Sequence, residues 1–74
     1  MVVKIYTGMG CHYCKHAKEF FKNNNIEFLE FDVYADKSAY DFVLSQGGQL
    51  PIIELNEKVF KGFDAKLLKN ELGL

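Results

Sequence analysis

The two cysteines of the chain stand three positions apart in Thr7-Gly8-Met9-Gly10-Cys11-His12-Tyr13-Cys14-Lys15-His16. An apolar run precedes them and a segment with helical spacing follows. If Cys11 ends the loop and Cys14 lies in the first helical turn, the two residues face the same side. Their Cα atoms then come within the roughly 5–6 Å that a disulfide needs, so a reversible disulfide is easy here. The helix start also distinguishes the sulfurs. Unpaired backbone N–H groups and the positive end of the helix dipole favour an anion at Cys11, while Cys14 sits deeper in the turn. Cys11 is the expected nucleophile, with a pKa below the free-thiol value of about 8.5, and Cys14 the resolving thiol. Protonated His12, and Lys15, are the nearby cations that would help hold a Cys11 thiolate.

Other chemistries use the same residues. Two thiols can be inert core, and a C-x-x-C can be half of a zinc site. Structural zinc needs four protein ligands, and only His12 and His16 remain close by, so no resident metal is expected. Met9-x-Cys11-x-x-Cys14 also resembles the metal-binding loop of the heavy-metal-associated domains, the copper chaperone class, which would make the chain a Cu(I) carrier. The motif alone leaves this alternative open.

Composition narrows the classes. With 74 residues, 49% of them hydrophobic and seven Phe and four Tyr among them, the expectation is a single domain, residues 1–74, around one small core. Such a core needs no disulfide to fold, which leaves the cysteines free for chemistry. Two cysteines are also too few for a disulfide-rich secreted scaffold. Nine Lys against ten Asp and Glu give a net charge of -1, too little positive field for nucleic acid. Met1-Val2-Val3-Lys4-Ile5-Tyr6 is too short an apolar stretch for a signal peptide, and nothing approaches a membrane span. The expectation is a cytoplasmic monomer with thiols normally kept reduced.

The elements that position the motif follow from periodicity. Val2–Thr7 is apolar on both alternation phases except at Lys4, and predicts a central strand covered on both faces. Gly8 and Gly10 permit unusual dihedrals or close approach to the cysteines. Cys14, Ala17, Phe20 and Phe21 predict a helix from His12 to about Asn24, stopped by Asn23-Asn24-Asn25. Ile26–Val33 alternates as a second strand. Asp36 caps a helix marked by Ala39, Phe42 and Val43 and closed by Gly47-Gly48. Pro51 opens the strand Ile52–Leu55, Asn56-Glu57 makes a tight turn, and Lys58–Lys61 returns. Gly62-Phe63 breaks the strand, and Asp64 caps a last helix with Ala65, Leu67, Leu68 and Leu72, ended by Gly73. The order is β-α-β-α-β-β-α, an α/β fold. A helix between the first two strands imposes a parallel crossover and the short turn an antiparallel hairpin. A four-stranded mixed sheet flanked by three helices results.

In that order and spacing, Ile5-Tyr6-Thr7, Cys11-His12-Tyr13-Cys14, Gln49-Leu50-Pro51 and Gly62-Phe63-Asp64 resemble a glutaredoxin. More narrowly they resemble the NrdH-redoxins, small electron donors to ribonucleotide reductase. The resemblance implies a thioredoxin-like fold with the Leu50–Pro51 bond cis and facing the cysteines. It disfavours the metal carrier, whose domains place a hairpin directly after the first helix. It also implies no bound cofactor beyond the redox-active Cys11–Cys14 disulfide, with glutathione or thioredoxin reductase as reductant.

Departures from the pattern matter. His12 stands where glutaredoxins usually have proline, and Gly8 where they have a loop lysine. Lys61-Gly62 replaces a Gly-Gly pair, and Leu50 the usual threonine or valine. Lys61 and Lys15 remain as cations for a carboxylate, while the Gln49-Leu50-Pro51 and Gly62-Phe63 pieces lean toward the NrdH-redoxins. The implied activity is reduction of protein disulfides. Met9, Tyr13, Leu50 and Phe63 are expected to form an apolar rim, and His12, Lys15, Pro51, Lys61, Gly62 and Asp64 complete the expected substrate site.

Overall fold

The computed structural model describes residues 2–74. The short apolar start of the chain includes Met1, which lies outside the described residues; among those described, no helix is long and apolar enough to cross a membrane. The chain runs β1 (Val3–Thr7), α1 (His12–Asn23), β2 (Leu29–Asp32), α2 (Lys37–Ser45), β3 (Ile52–Leu55), β4 (Lys58–Lys61) and α3 (Ala65–Leu72). The strands form one sheet in the order β2-β1-β3-β4, with β1 and β2 parallel and both other pairings antiparallel. This is the thioredoxin-like arrangement, and β1 is central as its two apolar phases require.

The sheet divides two apolar clusters. Val3, Ile5, Ala17, Phe21, Ile53, Leu55 and Leu68 pack under α1 and α3, with Phe20, Phe60, Phe63 and Leu72 half-buried around them. Tyr6, Val33, Ala39, Val43 and Ile52 pack under α2. Alternate residues of β1 therefore seat helices on opposite faces, and the β1–α1 loop leaves the sheet at the end of that strand. The Tyr6 hydroxyl donates to Glu54 Oε1 at 3.2 Å. Burial first, then the charge and hydrogen bond of Glu54, push its pKa up to about 12.

Two expectations change. The second strand is shorter than Ile26–Val33, because Asn25 is left-handed at φ 57° and the Ile26 N–H bonds back to the Phe21 carbonyl at 2.9 Å. Ile26–Phe28 thus packs against the core as a loop, and pairing with β1 starts at Leu29, opposite Lys4. Leu29 itself is 52% exposed on this edge strand, and Leu67 of α3 is 51% exposed, since one-turn spacing cannot say where the buried stripe ends. The hairpin turn is as expected: Asn56 and Glu57 are both left-handed, the two-residue geometry that matches strand twist.

Helix α2 depends on its cap. Asp36 Oδ1 accepts from the N–H groups of Ser38 (2.9 Å) and Ala39 (3.3 Å). Asp36→Ala is expected to lower the unfolding free energy by about 1 kcal/mol, read as a lower urea midpoint; an unmoved midpoint would mean the cap contributes nothing.

Candidate active site

Cys11 is the N-cap of α1, with extended dihedrals (φ -89°, ψ 103°), and its Sγ accepts the Cys14 backbone N–H at 3.1 Å. A sulfur in that position takes the place of the oxygen of a capping serine or aspartate, and a negative charge on it is favoured by the orphan N–H groups and the dipole. The Cα atoms of Cys11 and Cys14 are 5.3 Å apart and the two side chains are joined in a disulfide. The sulfurs are unequal in access: Cys14 is 2% exposed, facing the sheet, while Cys11 is only half-buried.

The β1–α1 loop approaches its surroundings closely. Gly10 is left-handed at φ 75°. Gly8 has no such dihedral; a Cβ placed there would lie 2.6 Å from Leu50 Cδ1 and 3.1 Å from the Tyr34 ring. The close approach is therefore made by the Leu50 side chain. Leu50–Pro51 is cis, Pro51 is buried, and its carbonyl accepts the Gly62 N–H at 2.8 Å, tying the proline loop to the end of β4. Gly8 thus packs against a side chain, where the sequence offered unusual dihedrals or close approach to the cysteines.

Two surface depressions hold the expected site residues, and they separate residues that the sequence placed in one rim. Tyr13, Leu50, Lys61, Gly62, Phe63 and Asp64 line one, together with Gln49, which belongs to the Gln49-Leu50-Pro51 piece but is not among the expected site residues. Met9, His12 and Lys15 line the other, beside Cys11 and Cys14. Lys15 and Lys61 are therefore in different depressions. Met9 is 88% exposed and Tyr13 63% exposed, whereas Phe63 is half-buried with its ring 5.8 Å from that of Phe20. Phe63 thus serves the core as well as the groove. Asp64 is structural as well, since its carboxylate caps α3 through the N–H groups of Lys66 (3.0 Å) and Leu67 (3.3 Å).

Sequence spacing missed Glu30. Its Oε2 accepts from Thr7 Oγ1 at 2.9 Å and from Lys18 Nζ at 3.0 Å, at the wall of the depression that holds the cysteines. Burial opposes ionisation of Glu30, but the hydrogen bonds from Lys18 and Thr7 and the charges of Lys18 and Lys22 outweigh it and hold the carboxyl below its usual range. No periodicity argument could bring these three together, because they come from α1, β1 and β2.

Known proteins resemble this chain in sequence and fold. The family model for glutaredoxin matches residues 3–60. A glutaredoxin-like 8.6 kDa protein of the rubredoxin operon of Clostridium pasteurianum is 31% identical over 65 residues, covering 85% of this chain and 87% of that one. Among solved structures, the glutaredoxin-like NrdH-redoxin of Escherichia coli superposes with a TM-score of 0.86 at 25% identity, covering 95% of this chain and 93% of that one. Glutaredoxin 1 of Francisella tularensis superposes at 0.69 with 32% identity, covering 96% and 93%.

Proposed function

The chain belongs to the glutaredoxin family, and on that footing we propose that it is a dithiol–disulfide oxidoreductase reducing protein disulfides, with Cys11 the nucleophile and Cys14 the resolving thiol. The observation that carries the reading is the inequality of the two sulfurs. The half-buried one caps a helix and accepts an N–H, and the buried one lies behind it. The Cys11 thiolate attacks one sulfur of a substrate disulfide, expelling the other as a thiolate that takes up a proton. Cys14 then loses its proton and attacks Cys11, breaking the mixed disulfide, releasing the second substrate thiol and leaving the Cys11–Cys14 disulfide. Two electrons from an external reductant restore the dithiol, so the pair itself is the electron carrier and no resident cofactor or metal takes part.

The groove of Tyr13, Leu50, Lys61 and Phe63 is the proposed seat of the substrate strand, with Pro51, Gly62 and Asp64 holding its floor and wall. Met9, His12 and Lys15 meet the partner from the other side of the disulfide. The 74 residues act in this reading as one domain and as a monomer in the cytoplasm.

The proposal extends to subclass: an NrdH-type redoxin, supplied by thioredoxin reductase and donating to a protein such as ribonucleotide reductase. The higher superposition with NrdH-redoxin, despite lower identity, supports it. So does Gly8, where a Cβ would lie 2.6 Å from Leu50 Cδ1, so that a lysine in that loop position would require Leu50 to move. The test is turnover of a small disulfide with two recycling systems side by side. NADPH with thioredoxin reductase is expected to sustain turnover and glutathione with its reductase is not. Activity with glutathione alone would overturn the subclass, and activity with neither would overturn the oxidoreductase reading.

A second expectation concerns acidity. Ultraviolet titration of the reduced protein should find one thiol ionising below the free value of about 8.5. If both thiols ionise at or above it, the helix start does not activate Cys11.

A further inference from the structure

Lys18, Glu30 and Thr7 form a cluster that thiol–disulfide exchange, as described above, does not call upon. The sheet register places Ile5 beside Glu30 and Thr7 beside Asp32, so Glu30 stands on the face that α1 covers, in step with Ile5 and Thr7. Lys18 comes four residues after Cys14 on α1. Side chains four apart lie on one side of a helix, one turn from each other. The Lys18 ammonium and the Cys14 thiol therefore occupy the same side of α1, and both line one depression with Glu30 and Thr7.

An ordinary surface ion pair is loosely held and well solvated. This one is anchored at a second point. Thr7 is buried, and its hydroxyl and the Lys18 ammonium donate to the same carboxylate oxygen at 2.9 and 3.0 Å. The Lys18 and Glu30 side chains are only 31% and 39% exposed. The carboxylate stays ionised across the neutral range, because its hydrogen bonds and neighbouring cations outweigh the effect of burial. A pair of opposite charges thus lines the same depression as Cys14, whose thiol must be neutral at one stage of the reaction and deprotonated at the next.

We propose that Glu30 and Lys18 are positioning residues that set the acidity of Cys14, the carboxylate cancelling the ammonium one helical turn away so that Cys14 stays protonated while Cys11 is the thiolate. This rests on the oxidoreductase reading and deepens it. An uncancelled cation would favour a Cys14 thiolate too early, where it would compete with Cys11; an uncancelled anion would hold the proton on Cys14 and slow resolution. At the resolving step the Cys14 proton passes to water in the depression, Cys14 Sγ bonds to Cys11 Sγ, and the bond from Cys11 to the substrate sulfur breaks. The electron pair leaves on that sulfur, which takes up a proton.

The other charged and titratable groups near Glu30 are Lys22 of α1, whose charge acts on it, and His12, Lys15 and Asp32, which line the same depression. All four stay unchanged in the variants proposed. β1 contributes only the neutral Thr7 to the cluster.

The test uses a Cys11→Ser background, in which Cys14 is the single thiol and its ionisation is read directly by ultraviolet absorbance. Adding Glu30→Gln is expected to raise the Cys14 thiolate fraction at neutral pH by about threefold or more, and Lys18→Met to lower it by about as much; the figure allows for solvent screening of half-exposed charges. The double variant should return near the parent value. Opposite signs from two changes that break the same ion pair are what loss of packing could not produce. Shifts in one direction for both, or none for either, overturn the proposal.

A companion measurement keeps the two readings separable. The chain with both cysteines is equilibrated in dithiothreitol buffers of defined ratio. Formation and reduction of the Cys11–Cys14 disulfide supports the oxidoreductase reading, and in a chain that cycles but whose Cys14 acidity ignores Glu30 and Lys18, only the present proposal fails. A chain that never cycles overturns the reading beneath it.

Discussion

Replacing Cys14 by Ser should turn a passing intermediate into a stable product: a mixed disulfide between Cys11 and the substrate that accumulates instead of resolving. In the parent chain the Cys14 sulfur is held within disulfide reach of Cys11, with Cα atoms 5.3 Å apart. An intramolecular attack of that kind corresponds to effective concentrations far above any thiol in solution. Without it, release depends on an external thiol at millimolar levels, and turnover should fall by on the order of a hundredfold or more. Cys11→Ser should abolish turnover and form no adduct, because the remaining sulfur is 2% exposed and off the helix cap. Mass spectrometry of the variants after incubation with a disulfide substrate decides the matter. An adduct that builds up on Cys14 in Cys11→Ser, and not on Cys11 in Cys14→Ser, would reverse the roles. Neither result is expected to reflect misfolding, since serine is close to cysteine in size, and a melting curve checks this.

Phe21→Ala should be the most damaging single change to stability. Phe21 is fully buried in the cluster that joins α1 to the sheet, with ring centroids 5.3 Å from Phe20 and 6.1 Å from Phe28. Truncating a buried Phe costs about 3–5 kcal/mol, part lost transfer energy and part cavity. A chain of this length has on the order of 4–11 kcal/mol in total. The variant should therefore lose about a quarter or more of its stability and unfold at a much lower urea concentration. A loss below about 1 kcal/mol would mean that α1 does not seat on the sheet through this ring. The effect reaches the site, because α1 carries Cys14 on the same face as Ala17 and Phe21. Loosening that face should increase access to Cys14 before it abolishes the fold.

Much of the architecture was readable because its causes are local. The i, i+3 spacing of the cysteines, the caps Asp36 and Asp64, the left-handed Asn56-Glu57 turn and the two apolar phases of β1 each act within a few residues. They act the same way wherever the segment lies. Reading failed where a local pattern had a non-local competitor. Ile26 and Phe28 alternate like strand residues, yet the bond from the Ile26 N–H to Phe21 keeps them on the end of α1. Leu67 has helical spacing, yet α3 buries Leu68 and leaves Leu67 51% exposed.

The sequence by itself determined the element order, the pair of sulfurs and the helix start that makes them unequal, since peptide geometry and dipoles operate between residues close in the chain. Only the tertiary structure decided what surrounds those sulfurs. It divided the expected rim between two depressions, set Leu50 against Gly8, and brought Lys18, Glu30 and Thr7 from three elements onto one carboxylate oxygen. The physical reason is that strand register and helix seating fix those meetings, and both are settled by how the whole core packs.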